Sequence, residues 1–210
     1  MAFGKVALDF GHSLDDHCIV SRTMTLLIIG VALFIGAHLI PSAPSLRGRL
    51  KEQVGGNAYR GLFALVSLVG VVLLVIGMGR APSVPLWDPP QWGHRVSVFV
   101  MPVALTLFVA ALMPTNLKRL MRHPMLWGVT LWAAVHLVTN GDLASLILFG
   151  SFGAFSLFDM WSANRRGAKL SSKVVPYWRD LLVVAVGAIV SIGLLYSHGV
   201  LFGMPVSLGL

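Results

Sequence analysis

The stretch RHPMLWGVTLWAAVHLVTNGD, residues 122 to 142, places two histidines, one proline and a polar turn within an otherwise apolar segment. His123 and Pro124 follow a basic segment and predict the start of a helix, because proline is well tolerated in a first helical turn. His136 lies 13 residues further along, which is about 20 Å in a continuous α-helix. The two imidazoles are therefore too far apart to share one small site.

The neighbours of His136 suggest a site on one face of this helix. Trp132 and Asn140 lie one turn to either side of the histidine and on the same face. An imidazole is costly to expose to lipid, so this face is expected to point into the protein. Trp132 and Asn140 are therefore candidate pocket residues beside His136.

The composition indicates a membrane protein. The chain has 210 residues, a mean hydropathy of +0.81 and 11% charged residues, whereas charged residues make up about 25% of soluble domains. A single cysteine, Cys18, excludes an internal disulfide and a cysteine-based metal cluster. The net charge of +8 comes from short loops between apolar runs, which is typical of membrane topology and not of a nucleic-acid-binding surface.

Six apolar runs predict an all-α, polytopic transmembrane bundle of about six helices. The runs are Met24–Ile40, Leu62–Met78, Val96–Met113, Met125–Val138, Leu143–Met160 and Leu181–Leu201. The fourth run is short for a bilayer that needs about 20 residues. We expect this helix to end part-way through the bilayer, with Asn140, Gly141 and Asp142 forming a tight turn into the fifth helix.

The basic residues predict the orientation in the membrane. Twelve of them lie in alternate loops, whereas the only basic residues of the other loops are Arg80 and Arg95. The twelve are Arg47, Arg49, Lys51, Arg60, Lys118, Arg119, Arg122, Arg165, Arg166, Lys169, Lys173 and Arg179. By the positive-inside rule these loops face the cytoplasm, so both chain termini are predicted to be periplasmic. The proline-rich loop of residues 80–95 is then expected to cap the outer side.

The chain divides into four predicted segments. Residues 24–161 form a five-helix membrane core, residues 162–180 a basic cytoplasmic loop, and residues 181–210 a sixth helix with a tail. Residues 1–23 lack the apolar stretch of a signal peptide, and a translation start assigned too early explains them as well as a functional tail does. His12, His17 and Cys18 in this segment form only a weak metal-binding pattern.

Two helices end in a similar sequence pattern around a histidine. Residues 30–40, GVALFIGAHLI, align without gaps with residues 128–138, GVTLWAAVHLV, and this alignment matches His38 to His136. A short match between apolar segments arises easily by chance, so it is modest evidence of duplication. It still predicts that the two histidines have similar surroundings.

His38 and His136 are the histidines placed inside apolar helices, and each needs a partner for at least one ring nitrogen. One interpretation is that each bonds to a hydroxyl group of a neighbouring helix. The available hydroxyl groups include Ser67, Thr106, Ser145 and Ser151. The other interpretation is a ligand that both histidines bind in one common cavity, because paired imidazoles without a carboxylate or thiol suit the axial positions of a haem iron, or copper.

Distances along the helices leave two questions open. His38 lies about 14 Å from Arg47 and His136 about 21 Å from Arg122, so a helix must tilt if the two imidazoles are to meet. Arg122 and His123 either form a purely structural helix start or hold an anionic group of a cofactor at the helix N-terminus.

The chain resembles the NnrU family and, more distantly, the 15-cis-zeta-carotene isomerases of plants and cyanobacteria. The likeness extends from Met24 to about Met160. It rests on His38 and on the motifs NAYRGLFALVSLVG (57–70), LWDPPQW (86–92), PTNLKRLMRHPMLWGVTLW (114–132) and HLVTNGD (136–142). The resemblance implies an integral membrane protein, expected here in the inner membrane of a bacterium.

In the isomerase branch the resemblance implies a haem b held by two histidines, at the positions of His38 and His136. Reduced haem iron would then promote rotation about a cis double bond of a lipid-soluble polyene such as a carotenoid. NnrU proteins themselves are associated with nitric oxide handling and denitrification. Two positions depart from these patterns, because Leu39 replaces the usual serine and Ala133 replaces a cysteine of the isomerases.

Two other functions stay open on the sequence. Residues 122–128 also resemble the start of the cofactor-binding motif of isoprenylcysteine-type membrane methyltransferases, which use S-adenosylmethionine. Those enzymes need glutamates downstream of the motif, and the only glutamate of this chain, Glu52, precedes it. The second alternative is a non-catalytic assembly or regulatory protein of the respiratory membrane.

Overall fold

A computed structural model describes residues 24–203, which form eight helices joined by loops. The helices are α1 (Met24–Ser42), α2 (Pro44–Val54), α3 (Gly56–Gly79), α4 (Gly93–Leu112), α5 (Leu117–Leu120), α6 (Pro124–Thr139), α7 (Leu143–Arg165) and α8 (Trp178–Phe202). Each predicted apolar run lies within one helix, except that Met113 directly follows α4, and the helices extend up to six residues beyond the runs. This agreement confirms the all-α membrane fold. The predictions made for residues 1–23, including those for His12, His17 and Cys18, lie outside the described residues, as do residues 204–210.

The helix lengths fit a chain that crosses the membrane several times. Five helices, α1, α3, α4, α7 and α8, are long and apolar enough to span a bilayer. α6 is apolar but has 16 residues, about 24 Å, against a hydrocarbon core of about 30 Å. The chain reverses directly after α6, as predicted from its short apolar run, and α7 begins at Leu143.

Two helices, α2 and α5, were not predicted, because neither contains a long apolar run. α2 begins at Pro44, a residue suited to a first helical position, and ends before Gly55, whose φ of 82° interrupts the helix. It carries Arg47, Arg49 and Lys51. We call the side of the bundle that contains α2 and the other arginine-rich and lysine-rich connections the basic end, and the opposite side the cap end.

Two polar contacts tie helices together at the basic end. Asp159 of α7 accepts a hydrogen bond of 2.5 Å from the hydroxyl of Ser42 at the end of α1. Asp180 in the first turn of α8 accepts hydrogen bonds from the Thr115 hydroxyl at 2.5 Å and from the Asn116 backbone at 2.8 Å. The Pro-Thr-Asn segment after α4 is therefore a docking point for the last helix.

The cap end is closed by the loop between α3 and α4. The carbonyl of Gly141 accepts hydrogen bonds from the backbone of Leu86 at 2.7 Å and of Trp87 at 3.1 Å, and Leu143 donates to Val84 at 2.9 Å. A Cβ at position 141 would overlap the carbonyl oxygen of Trp87, so only glycine fits there. The LWDPPQW and TNGD motifs therefore form one structural unit, which caps the bundle as predicted.

α6 occupies the position around which the other helices of the site are arranged. It packs against α4 and against α7, while α4 also packs against α8. Gly128 lets α6 approach α4 closely, since a Cβ there would lie 2.8 Å from the carbonyl oxygen of Ala104. α1 approaches α3 in the same way at Gly30, where a Cβ would lie 2.7 Å from the backbone nitrogen of Leu74.

Candidate functional site

His136 lies in the last turn of α6, near the cap end. Its Nδ1 atom is 2.8 Å from the backbone carbonyl oxygen of Trp132, so Nδ1 carries the hydrogen and donates it. The other ring nitrogen, Nε2, is then the atom of a neutral imidazole that can bind a metal. The first interpretation from the sequence, a bond to a hydroxyl of another helix, is therefore wrong for this nitrogen, because its partner belongs to the same helix.

Aromatic rings fix the plane of the His136 imidazole. The Phe149 ring stacks on it with a centroid distance of 4.4 Å and an angle of 25° between the planes, and the Trp132 ring lies 5.3 Å away. Phe149 belongs to a π-helical segment of α7, Leu146–Gly150, and such segments occur frequently at functional sites. The α6 helix positions one side of the imidazole and the irregular part of α7 positions the other.

A cavity of about 310 Å³ lies beside His136, between α4, α6 and α8. Most of its wall is apolar. The polar side chains that line it are His94, Ser97, His136, Thr139, Asn140, Ser191 and His198, together with the indole of Trp132. The volume is at the lower end of the range of about 300–1,000 Å³ that encloses small ligands. The cavity suits a lipid-soluble molecule that meets a few polar groups.

His38 lies in the last turns of α1, close to the basic end. Its Nδ1 donates to the carbonyl oxygen of Phe34 at 2.7 Å, which again leaves Nε2 as the free acceptor. Its ring lies 4.1 Å from Phe34, 5.0 Å from Phe63 and 6.2 Å from Phe155. His38 does not line the cavity beside His136.

A chain of aromatic contacts connects the two histidines instead of a common cavity. The Phe34 ring lies 5.3 Å from Phe152, and Phe152 lies 5.7 Å from Trp132. Each end of this chain touches one of the histidines. The single cavity that the sequence analysis expected is therefore replaced by two histidine environments on the same aromatic face of α7.

The two histidines meet α7 at different heights. His136 contacts Phe149, whereas His38 contacts Phe155. These two phenylalanines are six positions apart, which is about 9 Å along a helix. The depth difference that the sequence indicated is therefore present in the structure. A cofactor that binds both histidines has to reach across this difference.

The sequence similarity between residues 30–40 and 128–138 corresponds to a repeated local structure. In each helix an aromatic residue, Phe34 or Trp132, precedes the histidine by four positions, accepts its Nδ1 hydrogen bond and contacts Phe152. In each helix the glycine eight positions before the histidine is a point of close helix approach. The similar surroundings predicted for the two histidines are observed.

The hydrogen bonds of the two histidines are those of imidazoles that can bind a metal. Histidines that bind metals usually donate their second ring N–H to a carbonyl or carboxylate, and both imidazoles do so here. Within residues 24–203, no three His, Cys, Asp or Glu side chains come together to hold a metal ion. A porphyrin supplies the remaining iron ligands itself, so two imidazoles would be enough to hold it, but His38 does not line the cavity beside His136.

Arg122 and His123 are at the other end of α6, about 20 Å from His136. Arg122 Nη1 donates to the side-chain oxygen of Asn164 at 3.0 Å, and His123 Nε2 lies 3.0 Å from the same oxygen. These contacts fasten the start of α6 to α7. The structure does not bring either residue to the cavity, and the structural interpretation of this pair accounts for its contacts.

The sequence analysis missed two histidines that line the cavity, His94 and His198. His94 stands beside Arg95 and was counted with the preceding loop, and His198 lies in α8, where no motif was recognised. His198 lines the same cavity as His136. Their positions in the sequence could have identified them, because the predicted helices place His94, His136 and His198 at the same end of the bundle.

Comparison with known proteins agrees with the motifs and extends them. The family model described as NnrU protein matches residues 26–206, which include α8. The chain is 26% identical over 187 residues to the chloroplastic 15-cis-zeta-carotene isomerase of Arabidopsis thaliana, a match that covers 80% of this chain and 49% of that protein. The chain thus spans about half the length of this curated relative, and no solved structure matches it. It is a multi-pass membrane protein that belongs to the NnrU family.

Proposed function

We propose that this NnrU protein isomerises a cis double bond of a lipid-soluble polyene, such as a carotenoid, in the cavity beside His136. The observation that carries the proposal is the cavity itself, which lies in the apolar part of a membrane bundle with an oriented imidazole in its wall. A hydrocarbon needs no hydrogen-bond partners and reaches such a site through the bilayer. The likeness to a carotene isomerase supports the same substrate class.

We further propose that His38 and His136 hold haem b. When bound, the reduced iron would supply electron density that lowers the barrier to rotation about a conjugated double bond. The backbone carbonyls of Phe34 and Trp132 support this assignment, since they fix the tautomer of each histidine and leave Nε2 as the ligating atom. An Nδ1–H donor of this kind also raises the basicity of the ligating nitrogen.

The remaining residues of the cavity orient the substrate and exclude water. Trp132 and Phe149 contribute aromatic rings to the wall against which a conjugated chain would pack, and Asn140 closes the turn after α6 by donating to the His136 carbonyl at 2.8 Å. The docked loop at Gly141 shields the cap end from water. The chain itself therefore contributes binding, orientation and a dry environment.

The proposal is tested with the full chain in detergent or nanodiscs, supplied with haem and a reductant and incubated with a cis-polyene, with the isomers separated by chromatography. His136→Ala is expected to reduce the isomerisation rate by about 100-fold or more, because loss of a ligand is at least as severe as loss of its orienting partner, which costs about 10–100-fold. His123→Ala, on the same helix but outside the cavity, is the matched control. An alanine variant at position 136 that isomerises as fast as this control would refute the proposal.

A further inference from the structure

A second cavity continues the one beside His136 towards the basic end. It has a volume of about 640 Å³ and lies between α4, α6 and α8, with two residues from the α5 region. Its lining residues are Pro102, Val103, Thr106, Leu107, Leu117, Met121, Trp127, Leu131, Val184 and Ala188. Pro102 lines both cavities, so the two are adjacent at this residue.

Joined at Pro102, the two cavities would form an elongated groove. On α4 the lining residues extend from His94 to Leu107, and on α6 they extend from Asn140 back to Trp127. Each of these stretches covers 13 helical positions, which is about 20 Å. A molecule that fills the groove is therefore long and narrow, and it lies roughly along the helices.

The polar groups of the groove are gathered at one of its ends. The imidazoles of His94, His136 and His198 lie in the cap-end cavity, whereas Thr106 is the one hydroxyl residue of the second cavity. A ligand that fits both cavities is therefore apolar along most of its length. Any polar group that it carries is expected at the cap end.

The second cavity opens sideways towards the lipid. Val103 and Val184 of its wall are each 52% exposed, and Trp127 is 43% exposed. The side opening matters because a water-insoluble molecule cannot approach through the polar loops at either end. The chain of a lipid-soluble molecule can instead enter from the bilayer beside these exposed residues.

Two residues shape the groove at its middle. Pro102 lies inside α4 and has no N–H to donate to the carbonyl of Val98, so the helix is weakened where the two cavities join. Gly187 of α8 lets that helix contact Thr106 directly, and a Cβ there would overlap the Thr106 side chain. α4 and α8 therefore touch at Thr106 and Gly187, and the second cavity lies beside this contact.

We propose that the two cavities are one binding groove, which takes an extended polyene chain from the lipid and directs one end of it past Trp132 to His136. The chemical class of the ligand rests on the proposed function. The groove itself rests on the shared residue Pro102, the length of the lining stretches and the position of the polar groups. Filling either cavity should therefore weaken binding of the same molecule.

The test uses binding alone and needs neither haem nor turnover. The probe is parinaric acid, a conjugated tetraene fatty acid whose fluorescence reports energy transfer from tryptophan, and Trp127 and Trp132 lie in the two parts of the groove. Ala188→Phe fills the second cavity and Ser191→Phe fills the cap-end cavity. Each is expected to weaken binding by about tenfold or more. Ala185→Phe, on the exposed side of α8, is the matched control and should bind like the parent chain.

The outcomes separate the groove from the proposed function. If Ala188→Phe binds as tightly as the control, the second cavity is not part of the site and the groove is refuted, even if isomerisation is found. If both filled variants lose binding but no isomerisation occurs, the groove stands and the proposed function fails. Val184→Phe replaces Ala188→Phe if that variant does not elute as a single species on gel filtration, since Val184 lines the same cavity.

Discussion

The glycine of the TNGD turn determines whether the cap end can close. Gly141 accepts the hydrogen bonds of the LWDPPQW loop, and its α-carbon faces the carbonyl oxygen of Trp87 with no room for a side chain. The sequence marked this position as a turn. It could not reveal the partner of the turn, because the contact joins segments more than 50 residues apart.

Gly141→Ala is expected to destabilise the protein by about 1–3 kcal/mol, the usual cost of forcing extra atoms into a filled space. Thermal unfolding of the detergent-solubilised protein, followed by circular dichroism, measures the loss as a lower midpoint. Gly36→Ala is the control, because a Cβ at Gly36 meets no atom within 4 Å, and alanine there is expected to be neutral or to stabilise by up to about 1 kcal/mol. Equal unfolding midpoints for the two variants would contradict the close packing of the loop of residues 80–95 against Gly141.

The histidines show a similar limit of the sequence. An imidazole in an apolar helix predicts an inward face and an unknown hydrogen-bond partner. The observed partner is the carbonyl four residues earlier, for both His38 and His136. Every helix has such carbonyl groups, so no particular side chain in the sequence could have predicted this hydrogen bond.

At the level of helices, the apolar runs were sufficient to place all the long elements. They could not reveal α2, whose residues are mainly polar, or the π-helical segment of α7, whose composition matches an ordinary helix. Nor could they show what the Pro-Thr-Asn segment after α4 does. In the structure it binds α8, a helix in which the sequence analysis recognised no motif.

Asn116 is the central contact between that segment and the last helix. Its side chain donates to the Asp180 carboxylate at 2.7 Å and to the Val175 carbonyl at 2.8 Å, and it accepts from the Val175 backbone at 3.1 Å. Asn116→Ala is expected to destabilise the protein, because the backbone of Val175 loses both of its side-chain partners and Asp180 loses one of its donors. The connection between α7 and α8 should then be cleaved faster by trypsin in limited proteolysis.

The control for this variant is Asn57→Ala, at an exposed position in the first turn of α3. It should leave the rate of cleavage between α7 and α8 unchanged. If Asn116→Ala is cleaved at the same rate as Asn57→Ala, the segment does not fasten the last helix.

At the level of the whole molecule, the sequence predicted the six apolar helices, but it predicted neither α2 and α5 nor the arrangement of the helices. The apolar face of a helix shows which residues avoid water. Lipid and the protein interior are both apolar, so this face does not show which helices are neighbours. The grouping of α4, α6 and α8 around one cavity, with His94 and His198 in its wall, therefore required the structure. The same limit explains why His38 and His136 were expected in one cavity and were found on one aromatic face of α7.

The absorption spectrum of the purified full chain tests the central claim most directly, namely that His38 and His136 act together on one bound haem. After addition of haem and removal of the excess, the parent protein and His123→Ala are predicted to show a Soret band that shifts on reduction. His38→Ala and His136→Ala are each predicted to lose or strongly shift that band. A parent protein that takes up no haem, or a band that either histidine variant leaves unchanged, would contradict the account.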